Sequence, residues 1–197
     1  MEAARRAGAP EVVSFAGDLA LEDNVRRSVA DALKLLPRLD ILVHSASAYL
    51  RGDFATASSE GFDRQYQANL RSPYLLTQLM LPRFRERGGD IVFINSTQGL
   101  RAGSGVAQFA ATQHGLKALA DSLREEVNAD GIRVLSIHLG RTATPRQAKI
   151  FAEEGRAYVP ERLMQPADVA AVIVAALRLP RTTEVTTVTM RPAVKSY

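Results

Sequence analysis

The chain has 197 residues, 46% of them hydrophobic, with no cysteine and a formal charge of +4. That length and apolar content suffice for the core of one soluble domain, and the lack of cysteine excludes disulfides, thiolate catalysis and zinc–thiolate sites. No apolar run approaches a membrane span, arginines such as Arg26, Arg64, Arg83, Arg124 and Arg178 are scattered rather than massed into a nucleic-acid face, and the opening MEAARRAGAPEVV has no long apolar segment like a signal peptide's. A cytoplasmic protein with neither membrane nor nucleic-acid partners is the expectation.

In chain order, EVVSFAGDL (11–19) predicts a strand ending in polar residues, and NVRRSVADALKLL (24–36) carries apolar residues at helical spacing. LDILVHSA (39–46) is a mostly apolar strand. The stretch 61–87 is a long helical region that Pro73 and Pro82 should bend or divide. Gly88–Gly89 punctuate it, and DIVFINST (90–97) is the next strand. After the loop GLRAGSG a helix runs through Asn128, and GIRVLSIHL (131–139) is a strand apolar on both faces near its middle. Residues 140–165 carry the weakest pattern, a loop with a short helix suited to a substrate lid. DVAAVIVAALRL (168–179) is a helix between Pro166 and Pro180, and EVTTVTM (184–190) is a closing strand. Alternation of this kind means an α/β fold with a mainly parallel sheet. Short apolar runs such as ILV and IVF suit strands covered on both sides. Ligand sites in such folds form at the carboxyl ends of the strands. Asp18, His44, Ser96 and His138 all fall near those ends. No linker or internal repeat divides the chain.

Several short motifs, in order, resemble the short-chain dehydrogenases/reductases, which bind NAD or NADP and move hydride between an alcohol and a carbonyl. Asp18, in AGDLA, stands where the family has an acidic residue after its third strand, which helps frame the adenine. HSAS (44–47) occupies the place of an Asn-Asn-Ala-Gly segment and retains only Ala46. Asn69, in QANL, matches a helix asparagine that helps hold a water relay. Ser96, in INSTQG, matches the catalytic serine, and Thr144, in LGRTAT, the threonine that contacts the nicotinamide amide. Leu139 replaces the usual proline before Gly140. The resemblance implies a small-molecule substrate, and a homo-oligomer built on the helices at 61–87 and 106–127. Leu75, Leu76, Leu79, Leu116, Leu119 and Leu123 there can serve either the core or an interface.

Two departures from the family pattern bear on function. The first is in GVAQFAATQHG (105–115), where Phe109 falls at the family's tyrosine and Gln113 at its lysine. A phenyl ring has no proton to donate, and a neutral amide supplies no positive field. Losing a positioned general acid costs about 10²–10⁴-fold. Gln113 keeps an amide that can hydrogen-bond a ribose. Little or no classical dehydrogenase activity is the expectation. The alternatives are a non-catalytic binding or partner-interaction module on the same fold, or an oxidoreductase with a non-standard proton donor: water, Ser96, His44 or His138. The bland readings stand beside these: Ser96 ties down a loop, Asn69 braces the adjoining strand, Asp18 accepts from a backbone amide, and the histidines are polar residues at strand ends.

The second departure is at the amino end. The chain begins close to where the family's third strand is due, no GxGxxG pattern occurs, and the GxxxGxG spacing is met only by GLRAGSG (99–105), far from the amino end where the family carries its glycine-rich loop. The expected architecture is a three-layer, mainly parallel Rossmann-like sheet lacking the family's first two strands, a single incomplete domain over 1–197. Three explanations stand together: a start that lies upstream, a truncated relative that fills the gap through a partner or strand exchange, and a decayed remnant. NAD or NADP is the implied cofactor, without the glycine-rich loop that normally holds its pyrophosphate.

Overall fold

Successive residues of a strand point to opposite faces. In the segment Gly89–Ser96 both sets are apolar: Ile91 and Phe93 on one side, Val92 and Ile94 on the other. A strand of that kind needs cover on both faces, and the computed structural model shows it at the centre of a sheet. The structure describes residues 1–36 and 38–194. Its elements are α1 (Glu2–Arg6), α2 (Glu22–Leu35), β1 (Ile41–His44), α3 (Ser59–Tyr66), a π-helical turn (Gln67–Arg71), α4 (Ser72–Arg85), β2 (Gly89–Ser96), α5 (Ala107–Val127), β3 (Ile132–Leu139), α6 (Pro145–Glu153), α7 (Pro166–Leu177) and β4 (Thr187–Met190). The four strands pair in parallel in the order β1-β2-β3-β4.

Helices α2, α4 and α5 cover one face, where Val25, Val29, Leu75, Phe84, Leu116 and Ala120 pack against Ile91, Phe93 and Val134. On the other face Ile173, Ala176 and Leu177 of α7 pack against Val92, Leu135 and Ile137. This is a three-layer α/β fold of the Rossmann-like kind. Of the leucines that serve either core or interface, Leu75 and Leu116 lie in the core, while Leu76, Leu79 and Leu123 are half-buried against it. No helix among the described residues is long and apolar enough to cross a membrane.

Register at the start of β2 is set by a glycine. Gly88 adopts φ +76°, and a Cβ there would stand 2.6 Å from the carbonyl oxygen of Gly131. Only glycine allows both the left-handed turn and the close approach. Its N–H donates to the Phe84 carbonyl at 2.7 Å, which closes α4 and aims the chain into the sheet.

Three expectations from the sequence need correction. Residues 11–18 form no strand: among the described residues they pair with no ladder, and Val13 and Phe15 are exposed. An apolar, β-branched run becomes a strand only when a neighbour takes its N–H and C=O groups, and β1 is bonded to β2 alone. The strand at 39–46 shrinks to Ile41–His44, and the closing strand to Thr187–Met190; both are edge strands, bonded on one side only to a longer neighbour. Pro82 does not end its helix: it sits inside α4, which runs on to Arg85. The interruption falls instead before Pro73, where the backbone takes the π-helical turn.

Phe84 is fully buried between α4, the sheet and the Gly88 turn. Phe84→Ala is expected to cost about 3–5 kcal/mol in denaturant unfolding. A loss below about 1 kcal/mol would place the centre of the core elsewhere.

Candidate functional site

Strands β2 and β3 end together, with Ser96 paired to Leu139, and β1 ends three residues earlier on the same side, with His44 paired to Phe93. The loops that leave those ends surround a cleft of about 740 Å³. Ser45, Ser47, Tyr49 and Arg51 reach it from the loop after β1, Ser96 from the end of β2, and Phe109 and Gln113 from α5. Gly140, Arg141 and Thr144 come from the loop after β3, and Arg146, Ile150 and Glu154 from α6 and its end. The 140–165 stretch thus forms the helical wall opposite α5.

Side-chain amides hold this rim in place through backbone atoms. Asn95 donates from Nδ2 to the Gln113 carbonyl at 3.0 Å and accepts the Ser96 N–H at 2.6 Å. Gly99 lies against the same point, where a Cβ would be 2.8 Å from the Gln113 carbonyl oxygen. The end of β2 is thereby locked to the first half of α5. Asn69, in the π-helical turn, accepts the Ala48 N–H at 2.6 Å and donates to the Ala48 carbonyl at 2.8 Å. It also donates to Thr112 Oγ1 at 3.1 Å, and so joins the loop after β1 to α5.

The residues singled out in the sequence separate into two groups. Ser96, Phe109, Gln113 and Thr144 all line the cleft. Ser96 Oγ also accepts the Gln98 N–H at 3.2 Å, and Thr144 Oγ1 accepts the Gln147 N–H at 3.2 Å to cap α6. Gln113 is buried, yet among the described residues its side-chain amide makes no hydrogen bond. Asn69, Ala46 and Asp18 do not line the cleft. Asp18 pairs with Arg64 at 2.6 Å and accepts the Ala20 N–H at 3.0 Å, and the Arg64 guanidinium with that amide holds its carboxyl below the usual range.

The histidines point away, for a reason of period. Val43, Ile94 and Leu139 line the cleft from one face of the sheet. Their neighbours His44 and His138 therefore face the opposite layer. His44 Nε2 pairs with Thr77 Oγ1 at 2.8 Å while its ring stacks on Phe93 at 4.7 Å, and burial pushes its pKa down to about 4. His138 is fully buried, with Nδ1 3.2 Å from the Ser96 carbonyl, and burial lowers its pKa too. His114 turns its Nδ1 to the Ala110 carbonyl at 2.9 Å. None of the three reaches the cleft, so neither His44 nor His138 replaces the family's acid.

Charge gathers on the α6 side. Glu154 accepts from Arg141 at 2.7 Å and Arg51 at 3.0 Å, and Arg141 lies over the Phe151 ring at 4.7 Å. Arg146 reaches across the lip to Ser47, donating to its Oγ at 2.6 Å and to its carbonyl.

The model of the short chain dehydrogenase family matches residues 1–155. The chain belongs to this family. An L-fucose dehydrogenase of Bos taurus is 30% identical over 176 residues, which cover 84% of this chain and 65% of that protein. The chain thus spans less than two thirds of that relative's length. Among solved structures, a Burkholderia xenovorans protein assigned to the short-chain dehydrogenases/reductases has a TM-score of 0.82 at 27% identity, over 97% of this chain and 77% of that one. A metagenomic short-chain oxidoreductase in complex with NADP has a TM-score of 0.80 at 24% identity, over 98% and 79% of the two chains.

Sequence reading missed Asn95, Arg146 and Tyr49. A polar residue beside Ser96 at the end of an apolar strand was the available signal for Asn95. Nothing in spacing alone marks the other two.

Asn69→Ala leaves the Ala48 N–H and carbonyl without partners, and an expected loss of about 2–4 kcal/mol follows. Denaturant unfolding measures it, and an unchanged midpoint would remove the clamp from the account. His44 binds a proton more weakly folded than unfolded, so its contribution to stability is full above about pH 6.5 and is lost as pH falls toward about 4. That loss should reach about 3 kcal/mol. His44→Gln should flatten the slope of unfolding free energy against pH between those values.

Proposed function

We propose that this cleft is a nicotinamide dinucleotide site, and that the chain has lost the proton-transfer pair its family uses to interconvert alcohols and carbonyls. The observation that carries this reading is the placement of Phe109 and Gln113, one helical turn apart on α5 and both facing the cleft. No lysine lines the cleft among the described residues. The phenyl ring neither gives nor takes a proton, and the amide holds no phenolate.

The donor set fits the nicotinamide–ribose end of such a molecule. The buried Gln113 amide, with no hydrogen bond inside the protein, suits a ribose hydroxyl. Thr144, on the loop entering α6, suits the nicotinamide amide, and Ser96 Oγ suits a substrate carbonyl. A bound nicotinamide supplies hydride, while the protein orients the substrate and keeps water out with Phe109, Ile94 and Val106. Adenine would compete with Arg64 for Asp18. The lid role of 140–165 and a homo-oligomer through α4 and α5 belong to the same proposal.

Calorimetry with NADH and with NADPH tests the site, and a carbonyl panel tests turnover. The expected result is binding of at least one dinucleotide, with turnover about 10²–10⁴-fold below that of a Phe109→Tyr/Gln113→Lys variant. No heat with either dinucleotide would remove the site. Equal turnover in the two proteins would remove the role given to the pair.

A further inference from the structure

The hydroxyl absent from α5 has a neighbour in the cleft. Tyr49 lines the same cavity, and its ring meets Phe109 edge-on, with centroids 5.0 Å apart and planes at 72°. Its position is imposed from both sides. Ala48 is held by Asn69 through its N–H and its carbonyl, and the Leu50 N–H donates to Gln65 Oε1 at 3.1 Å. The Gly52 N–H donates to the Gly105 carbonyl at 3.0 Å, tying the loop to the entrance of α5. With the residues before and after it pinned, Tyr49 has little freedom to turn its ring out of the cleft. Among the described residues its hydroxyl makes no hydrogen bond.

We propose that Tyr49 is the group that meets a ligand's carbonyl oxygen in this cleft and supplies the proton when that carbonyl is reduced. The proposal rests on the dinucleotide reading above for its hydride. A reduced nicotinamide supplies two electrons and hydrogen for the new C–H bond, the carbonyl π pair moves to oxygen, and the Tyr49 O–H bond breaks as its proton joins that oxygen. Water restores the phenol. Burial raises the phenol's pKa, and Glu154 and Glu153 push the same way against Arg51 and Arg141. The protonated phenol is the form that donates to a carbonyl oxygen.

The test uses the intact chain without dinucleotide, so that it stands apart from cofactor binding. Isotope-edited infrared spectroscopy follows the carbonyl stretch of benzaldehyde. The expected result is a band moved to lower frequency by the protein, with the shift lost in Tyr49→Phe, a change that keeps the ring and its contact with Phe109. In Tyr49→Phe/Phe109→Tyr the shift should return, because the hydroxyl is restored across the ring contact. With NADPH added, Tyr49→Phe should lower benzaldehyde reduction about 10²–10⁴-fold. A wild-type band at its free-solution frequency, or a shift that survives in Tyr49→Phe, overturns the proposal.

Discussion

The cleft depends on one side-chain amide. Asn69 both accepts the N–H and takes the carbonyl of a single residue, Ala48, while its Nδ2 reaches Thr112 on α5. Among side chains only asparagine and glutamine offer a donor and an acceptor side by side, as a peptide group does. A carboxylate would meet the N–H and repel the carbonyl. The π-helical turn around Asn69 explains how a helix residue reaches so far: widening the helix by one residue displaces a side chain that regular spacing would keep in line. The outcome is that the helix at 59–85 ties the loop after β1 to α5, and those two walls of the cleft are set together.

The opposite end of the sheet is held by charge. Arg133 on β3 pairs with Asp90 on β2 at 2.7 Å, both nearly buried, and donates to the carbonyls of Leu177, Leu179 and Thr183 beyond α7. A guanidinium has five donors, and three of its bonds go to carbonyls at the end of a helix and in the turn that follows. Such a pair repays its desolvation only when every lone pair and proton is used, and here most are. The sheet therefore closes on a satisfied ionic cluster at its amino edge and opens on a cleft at its carboxyl edge. At the cleft, Glu154 plays the corresponding part for α6, pairing with Arg141 and Arg51.

What was legible in the sequence followed from period and punctuation. Ile91–Ile94 and Val134–Ile137 read as strands because both faces are apolar, and Gly88–Gly89 marked the entry to β2. What failed needed information about neighbours. Residues 11–18 have the composition of a strand, but composition supplies no partner for the backbone. Pro82 breaks the helical pattern in principle, yet lies so close to the end of α4 that few bonds are at stake. His44 and His138 were placed at the correct rim and on the wrong side of it, since a shift of one residue along a strand reverses the face. Ser96, Phe109, Gln113 and Thr144 came together as their order along the chain implied. Tyr49 escaped notice because its approach to Phe109 depends on a clamp formed 20 residues later in the chain.

The same bonding pattern explains how chemistry can change while the cleft stays. Asn95 grips the carbonyl of Gln113, and Thr112 Oγ1 donates to the carbonyl of Phe109 at 2.8 Å. Asn69 grips the backbone of Ala48. Each contact reads main-chain atoms that every residue type possesses, so the scaffold is indifferent to the side chains at 109 and 113. A tyrosine and a lysine at those positions would be held in the same places by the same bonds. With phenylalanine and glutamine there, the buried amide of Gln113 faces a space that a polar ligand can fill. The main-chain clamps and the side chains at 109 and 113 are thus distinct parts of the same wall, and the buried Phe109 ring adds its own packing against Tyr49.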